Sequence, residues 1–380
     1  MLVGLAALRR GLIGADGLTT ELPAFAGLPL PRFDDMVASG HEIRRLSLFE
    51  EARRLGREFR LPSPEVVEGC REELEAVDRR IRPGTALGVG PRIASLASSE
   101  VPADPSPRAA IDRLRADLAE FVGAEELEHL VVVNVASTEP PVEAGELPST
   151  WAALAGRLEQ PGACPVPAST LYAIAALEAG YSYINFTPSL GSAPEAVDEL
   201  ARRQKTRHMG CDGKTGETLM KSVLAPLFAR RNLPVMSWVG HNIFGNLDGK
   251  VLDDPSNKQA KVRTKDQLLG AILGYRPQTH VSIEYIESLG DWKTAWDHIH
   301  FRGFLGVPMT VQFIWQGCDS VLAAPLVLDL VRLTEAARQQ GRTGRMPFLA
   351  PFFKSPYGVT EQAFDRQFAM LLEWAGGGTD

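Results

Sequence analysis

A continuously apolar run at residues 130–133 opens directly into the polar turn NVASTEPP, and this junction constrains the fold more than any other stretch of the 380-residue chain. Four consecutive aliphatic residues leave no polar face, so a strand built from them is expected to be covered on both sides, as a parallel strand between helices is. The pattern returns in YSYINFTPSLGSAPE, where Asn185, Thr187 and Ser189 follow a second apolar stretch. Helices are expected around both. Ile111, Leu114, Leu118 and Phe121 recur at helical intervals within 109–121, and another helix is read over 170–179. Strands alternating with helices make an open α/β sheet, whose ligands sit outside the carboxyl ends of the strands. The two polar turns are therefore a candidate binding edge, although such residues also serve simply to cap the next helix.

A second stretch, GCDGKTGETLMKSVL at 210–224, reads as a site in its own right. Gly210, Gly213 and Gly216 permit close backbone approach, and a helix follows in which Leu219, Met220, Val223, Leu224, Leu227 and Phe228 form the expected buried stripe. Thr218, Lys221 and Ala225 share another face. Unpaired amides at the helix start, with Lys214 and Lys221 nearby, suit an anion. A nucleotide P-loop is excluded, because the glycine that it needs five residues before Gly213 is His208 here. The plainer alternative is a glycine turn followed by a helix with solvated lysines.

Beyond it, VMSWVG leads into HNIFGNLDGK, read as a turn-rich loop with Asn242, Asn246 and Asp248. Lys261 and Lys265 lie four apart, where like charges repel on a helix unless an anion offsets them. Alternation of Val281, Ile283 and Tyr285, and of Val311, Phe313 and Trp315, predicts strands with one buried face in an antiparallel-rich region. Between them LGDWKTAWD is read as a strand-to-helix turn holding Asp291 and Lys293. A long buried helix is expected in DSVLAAPLVLDLVRLTEAAR, and FFKSPYG sets Lys354 beside a proline turn. Toward the amino terminus, LAALRRGL and residues 47–81 read as helical, the latter interrupted at Pro62 and Pro64.

The net charge of -7 argues against general nucleic-acid binding, so the lysine clusters are expected to meet a small anion. No apolar run reaches the roughly 18 residues of a membrane span, and residues 1–12 do not resemble a secretory signal, so a cytoplasmic protein is expected. Cys70, Cys164, Cys211 and Cys318 lack zinc-like spacing and are read as reduced. The His298/His300 pair has no obvious further ligands, and no metal is expected.

From about Val131 to Tyr357 the chain resembles the inositol-3-phosphate synthase family, also called the myo-inositol-1-phosphate synthase family. The resemblance rests on NVASTEPP, YINFTPSLG, GCDGKTGETLMKSVL, HNIFGNLDG, the KVRTK lysines, LGDWKTAWD, GCDSVLAAPLVLDL and FFKSPYG, all in family order. It implies an α/β fold, a Rossmann-type NAD-binding domain over 1–199 and 291–380 interrupted by an inserted α+β catalytic and tetramerisation domain over 200–290. It also implies a homotetrameric isomerase that converts D-glucose 6-phosphate to 1D-myo-inositol 3-phosphate with NAD as cofactor, through oxidation, enolisation, intramolecular aldol closure and reduction. Lys221, Lys261, Lys265, Lys354 and Asp291 match its catalytic positions. Ala136, Ser137, Thr138, Thr187, Asp212, Thr215, Asn246, Asp248, Asp319 and Ser320 match its NAD positions. Two departures stand out. Leu219 replaces a second lysine found in many members, and MLVG offers no glycine-rich dinucleotide turn before LAALRRGL, which leads us to expect weak NAD binding by the chain as written. A rival reading is a family member that has lost turnover and binds sugar phosphates or supports an assembly.

Overall fold

The computed structural model describes residues 1–98, 100–142, 146–160, 165–245 and 268–377. Two units partition the chain, one of Met1–Asp212 with Ala324–Met346, the other of Gly213–Ala323 with Pro347–Asp380. Ten described strands run in order as β1 (His41–Glu42), β2 (Arg82–Pro83), β3 (Val131–Asn134), β4 (Ser182–Asn185), β5 (Arg207–Gly210), β6 (Val235–Phe244), β7 (Gln278–Tyr285), β8 (Trp292–Arg302), β9 (Pro308–Cys318) and β10 (Gly344–Arg345).

In the first unit β10, β5, β4 and β3 lie side by side in that order, all parallel. Helices Pro107–Ala124, Ala168–Glu178 and Glu195–Arg203 supply its core, with Ile111, Leu114, Leu171, Ile174, Val197 and Leu200 clustered around Tyr183. The first of these helices starts where sequence chemistry dictates: Ser106 Oγ accepts from Ala109 N, and Pro107 occupies a position whose N–H would go unpaired. All four residues of β4 are buried, as a central parallel strand demands, whereas those of β3 are half-buried. The apolar run that predicted a doubly covered strand thus marks the last strand in the order, where covering is partial. Helices Leu2–Arg9, Leu48–Phe59, Pro64–Gly69 and Arg71–Asp78 share a separate core of Ala7, Phe49, Val67 and Leu74, and the expected break at Pro62 and Pro64 falls between two of them.

The second unit contains a mixed sheet in the order β7, β6, β8, β9, with β6 parallel to β7 and antiparallel to β8, and β8 antiparallel to β9. The alternation read at 281–285 and 311–315 falls on β7 and β9. Two other stretches differ from expectation. HNIF continues β6 rather than opening a loop, and LGDWKTAWD begins β8 rather than a helix. In β8 the buried residues are Ala295, Asp297, Ile299 and Phe301, a period of two that the intervening histidines and the acidic member obscure. Because β8 pairs with β6, the domain boundary expected at residue 290 falls inside one sheet, and residues 292–318 keep company with β6 and β7. One sheet face packs on helix Gly216–Arg230, where the Phe228 ring lies 6.1 Å from Trp238 and 5.1 Å from Phe301. No described helix is long and apolar enough to cross a membrane.

Candidate functional sites

At the carboxyl edge of the parallel sheet, β3 and β4 both end in asparagine, and Asn134 stands in register with Asn185. Asn134 Nδ2 donates to Asn185 Oδ1 and to Thr187 Oγ1, each at 3.0 Å. The Thr187 hydroxyl donates to Asn185 Oδ1 at 2.9 Å and accepts from Ser189 N at 3.2 Å, so its hydrogen-bonding capacity is committed inside the network. Asn134 Oδ1 accepts from Ala136 N at 3.2 Å, fixing the turn after β3. Asn185 Nδ2 donates to Ser189 O at 2.6 Å. Gly191 is needed beside it, since its φ is +52° and a Cβ there would lie 2.5 Å from Asn185 Nδ2. Following β5, Asp212 N donates to Thr187 O at 3.0 Å.

Glu139 completes this edge. Its N–H donates to Ser189 Oγ at 3.1 Å, and its carboxylate accepts from Ser169 N at 2.9 Å and Ser169 Oγ at 2.5 Å at the start of helix Ala168–Glu178. Burial pushes the Glu139 carboxyl upward, while these donors pull it back. The loop carrying Ala136, Ser137 and Thr138 is therefore pinned at both ends, and those residues, Thr187 and Asp212 occupy one edge of one sheet. Asn134, Glu139, Ser169 and Gly191 were not singled out from sequence. Only Glu139 left a signal, as the sole charge in an otherwise uncharged stretch. The edge fits a dinucleotide in two respects: amides and hydroxyls make up most of it, with the Glu139 carboxylate taken up by Ser169, and the main chain after β3 is open, Val135 being 61% exposed.

In the second unit, Gly213 forms an antiparallel bridge with Phe353, and Lys214 N donates to Phe352 O at 2.8 Å. This sets the turn bearing Thr215 alongside the segment bearing Lys354. Gly216, with φ +53°, starts the helix so close to its neighbours that a Cβ would sit 3.7 Å from Trp315 Nε1 and 3.9 Å from Asp319 Oδ1. Lys293 Nζ is 3.2 Å from Asp319 Oδ2 and 5.5 Å from the centre of the Phe244 ring. Ser320 Oγ and Cys318 Sγ both donate to Asp291 Oδ2, the latter at 3.1 Å. The β8–β9 register, with Trp292 opposite Cys318, explains why these residues from distant sequence positions meet. The Trp315 indole N–H is buried without a hydrogen-bond partner among the described residues, a feature with no sequence signal beyond strand alternation.

Helix Gly216–Arg230 inverts part of the expected pattern: its polar face is buried, and of the predicted apolar stripe only Phe228 is fully enclosed. Glu217, Thr218, Lys221, Ser222 and Ala225 are buried, while Val223 and Leu227 are 46% and 50% exposed. A charge cluster accounts for the inversion. Lys221 Nζ lies 2.5 Å from Glu217 Oε1 and 3.9 Å from Asp297 Oδ2, Asn242 Nδ2 donates to Glu217 Oε2 at 2.6 Å, and Trp238 Nε1 donates to Asp297 Oδ2 at 2.6 Å. Gly240 makes room, because a Cβ there would lie 2.4 Å from Glu217 Oε1. Lys214 is equally enclosed, donating to Gln367 Oε1, and burial pushes its amine down to about 7 with the Glu361 charge opposing. Each lysine is 2% exposed, so neither is the solvated lysine of the plainer reading, and both ammonium groups are engaged by internal partners.

Lys261, Lys265, Asn246 and Asp248 lie outside the described residues. Among those described, no group of three or more His, Cys, Asp or Glu could hold a metal ion, and Cys70, Cys211 and Cys318 are free thiols.

Comparison with known proteins agrees with this architecture. Residues 5–375 match the myo-inositol-1-phosphate synthase family, an NAD-binding family. The chain is 30% identical over 377 residues to inositol-3-phosphate synthase 1 of Bacteroides thetaiotaomicron, covering 94% of this chain and 86% of that one. To the Rattus norvegicus protein of the same name it is 32% identical over 343 residues, covering 87% of this chain but 59% of the relative. The crystal structure of inositol-3-phosphate synthase from Caenorhabditis elegans superposes with a TM-score of 0.79 at 27% identity, covering 93% of this chain and 73% of that one. With matching extent, fold and motif order, the chain belongs to the myo-inositol-1-phosphate synthase family of NAD-binding isomerases.

Proposed function

We propose that this chain converts D-glucose 6-phosphate to 1D-myo-inositol 3-phosphate. The observation that carries the reading furthest is the bridge between Gly213 and Phe353, which sets Thr215 and Lys354 on neighbouring segments within a family-matched motif. NAD, when bound, supplies a hydride acceptor and later a hydride donor. Ala136, Ser137, Thr138, Thr187 and Asp212 would hold it at the carboxyl edge of the parallel sheet, Thr187 through its main chain, because its hydroxyl is engaged with Asn134, Asn185 and Ser189. The family resemblance adds Thr215, Asp319, Ser320, Asn246 and Asp248 to the cofactor contacts.

Enolisation and aldol closure build negative charge on oxygen, which a preorganised ammonium stabilises. Lys354 is assigned that work, together with Lys261 and Lys265 by resemblance. Asp291 accepts two hydrogen bonds on one oxygen, which fixes its carboxylate as a proton acceptor or as an orienting group for an ammonium. Lys221 acts from beneath, holding the helix start against Glu217 and Asp297.

Assembly as a cytoplasmic homotetramer through the second unit is part of the same reading. Phe304, Leu305 and Ile314 are 89%, 85% and 71% exposed, and β9 is the last strand of its sheet, so an apolar edge is left for a second copy to cover. Incubation with NAD and glucose 6-phosphate, followed by detection of inositol phosphate, tests the reaction. Absence of product from folded, NAD-bound protein would overturn it. A monomer mass in light scattering at micromolar concentration would overturn the assembly.

A further inference from the structure

An ammonium without an ion pair is an expensive thing to bury, and among the described residues Lys214 forms none: it is 2% exposed, its Nζ donates to the neutral carboxamide of Gln367, itself wholly buried, and the Glu361 charge acts on it without forming a salt bridge. Gln367 is anchored in turn, since its Nε2 donates to Glu361 O at 2.6 Å and its N–H to Ala363 O at 3.0 Å. The same lysine donates its main-chain N–H to Phe352 O, one residue from the Gly213–Phe353 bridge. Three separate pieces of chain are thus tied through one residue: the turn at 213–216, the segment at 352–354, and the start of helix Phe364–Ala375. A leucine or methionine would fill the space without the desolvation of a charge, but it would not fix the turn to Gln367.

We propose that Lys214 is a positioning residue: its contact with Gln367 fixes the main chain that presents Thr215 and Lys354, and so sets how well Thr215 meets NAD and Lys354 meets the sugar phosphate. The second half of this statement rests on the roles proposed for Thr215 and Lys354; the first half stands on the contacts alone. Lys214 itself lies beneath the turn and touches no reacting atom.

The test compares Lys214→Met with Gln367→Glu, which keeps an acceptor for the ammonium, in the NAD-loaded enzyme. In Lys214→Met the amide at position 214 should exchange with deuterium at least about tenfold faster, because its bond to Phe352 O is no longer braced. kcat should fall about a hundredfold, the scale expected of a misplacement near 1 Å, and the KM for NAD should rise with it, because the same turn carries Thr215. Gln367→Glu should keep slow exchange and lose only a few-fold in kcat. A purely structural lysine would instead shift the melting temperature and leave kcat and the KM for NAD of the folded enzyme unchanged. Unchanged exchange at position 214 in Lys214→Met overturns the proposal, and so does faster exchange with undiminished kcat. Should Lys214→Met not fold, Gln367→Leu removes the same contact from the other side and is judged by the same outcomes. A wild-type protein without turnover would sink the proposed reaction, leaving the exchange comparison to decide whether Lys214 holds the turn.

Discussion

The carboxyl edge of the parallel sheet and the turn at 213–216 are held in place by different chemistry. At the first, Asn134, Asn185, Thr187 and Ser189 satisfy one another through neutral hydrogen bonds, and the Glu139 carboxylate is taken up by Ser169. At the second, Lys221 lies between Glu217 and Asp297, and Lys214 is buried on an amide. A neutral network loses roughly 1–3 kcal/mol when one member is left unsatisfied. A buried ion cluster is more fragile, because removing one partner strands a charge at about 3–5 kcal/mol. The difference suits the work proposed for each. A cofactor edge has to keep its shape through the catalytic cycle, whereas a site that stabilises developing oxyanions requires ammonium groups, whose enclosure needs compensation nearby.

The largest effect is expected where charge meets chemistry without serving a core. Lys354→Ala should reduce inositol phosphate formation by about a hundredfold to a thousandfold, the loss expected when a preorganised oxyanion-stabilising group is removed, while the melting temperature stays near that of the parent. Normal product formation by the folded variant would show Lys354 to be a bystander. The contrast between the units can be broken more directly at Asp297. Asp297→Ala takes an acceptor from the Trp238 indole and one of the two carboxylates from Lys221, which keeps Glu217, so unfolding in urea should show a loss of about 1–3 kcal/mol, the cost of the stranded indole N–H. A loss below about 1 kcal/mol would mean that water or a neighbour replaces the carboxylate, and that the cluster is less closed than its burial implies.

The sequence makes the neutral edge legible and conceals the charged one for a physical reason. Polar residues at the ends of apolar strands announce themselves, because the chemistry changes at one point in the chain: Asn185, Thr187 and Ser189 could be read, and β4 lies where expected. Helix Gly216–Arg230 shows the reverse. Its Leu219, Met220, Val223 and Leu227 outnumber Lys221 on any hydrophobic count, yet Lys221 meets the carboxylates of Glu217 and Asp297 only if the polar face turns inward. That pairing is tertiary. Asp297 lies 76 positions after Lys221, on a strand hidden by its own histidines, so no local pattern could reveal the partner. Lys214 was noticed as a lysine in a glycine turn, but Gln367, 153 residues away, decides where it points.

A smaller effect tests whether the neutral edge is as tightly built as its hydrogen bonds suggest. In Gly191→Ala the new Cβ meets Asn185 Nδ2 at 2.5 Å on a backbone with φ +52°, so Asn185 has to move or the turn has to change. Left-handed strain together with a displaced amide should lower stability by about 2 kcal/mol, and NAD titration by calorimetry should show weaker binding, since Asn185 supports Thr187 and the turn at 136–138. Unaltered NAD affinity at the reduced stability would separate this network from the cofactor and return Thr187 to a purely structural part.

The smallest expected effect is a pH dependence confined to the charged region. Burial holds the Lys214 amine near 7, whereas an unfolded chain returns it to about 10.4. Below pH 7 both states carry the proton, and the folded state bears the whole desolvation penalty. Between pH 7 and about 10.4 the unfolded state binds more protons than the folded one, so stability rises with pH, at up to about 1.4 kcal/mol per unit. Other titrating groups contribute equally to wild type and Lys214→Met, so the difference between them isolates this residue. Since methionine carries no charge to bury, its stability relative to wild type should be more favourable at pH 6 than at pH 8, by about 1 kcal/mol. Urea unfolding at the two pH values measures that difference. A gap independent of pH would show that Lys214 keeps an ordinary pKa in the folded protein, which requires a charged or hydrated partner beyond Gln367 and would make the two regions more alike than their contacts indicate.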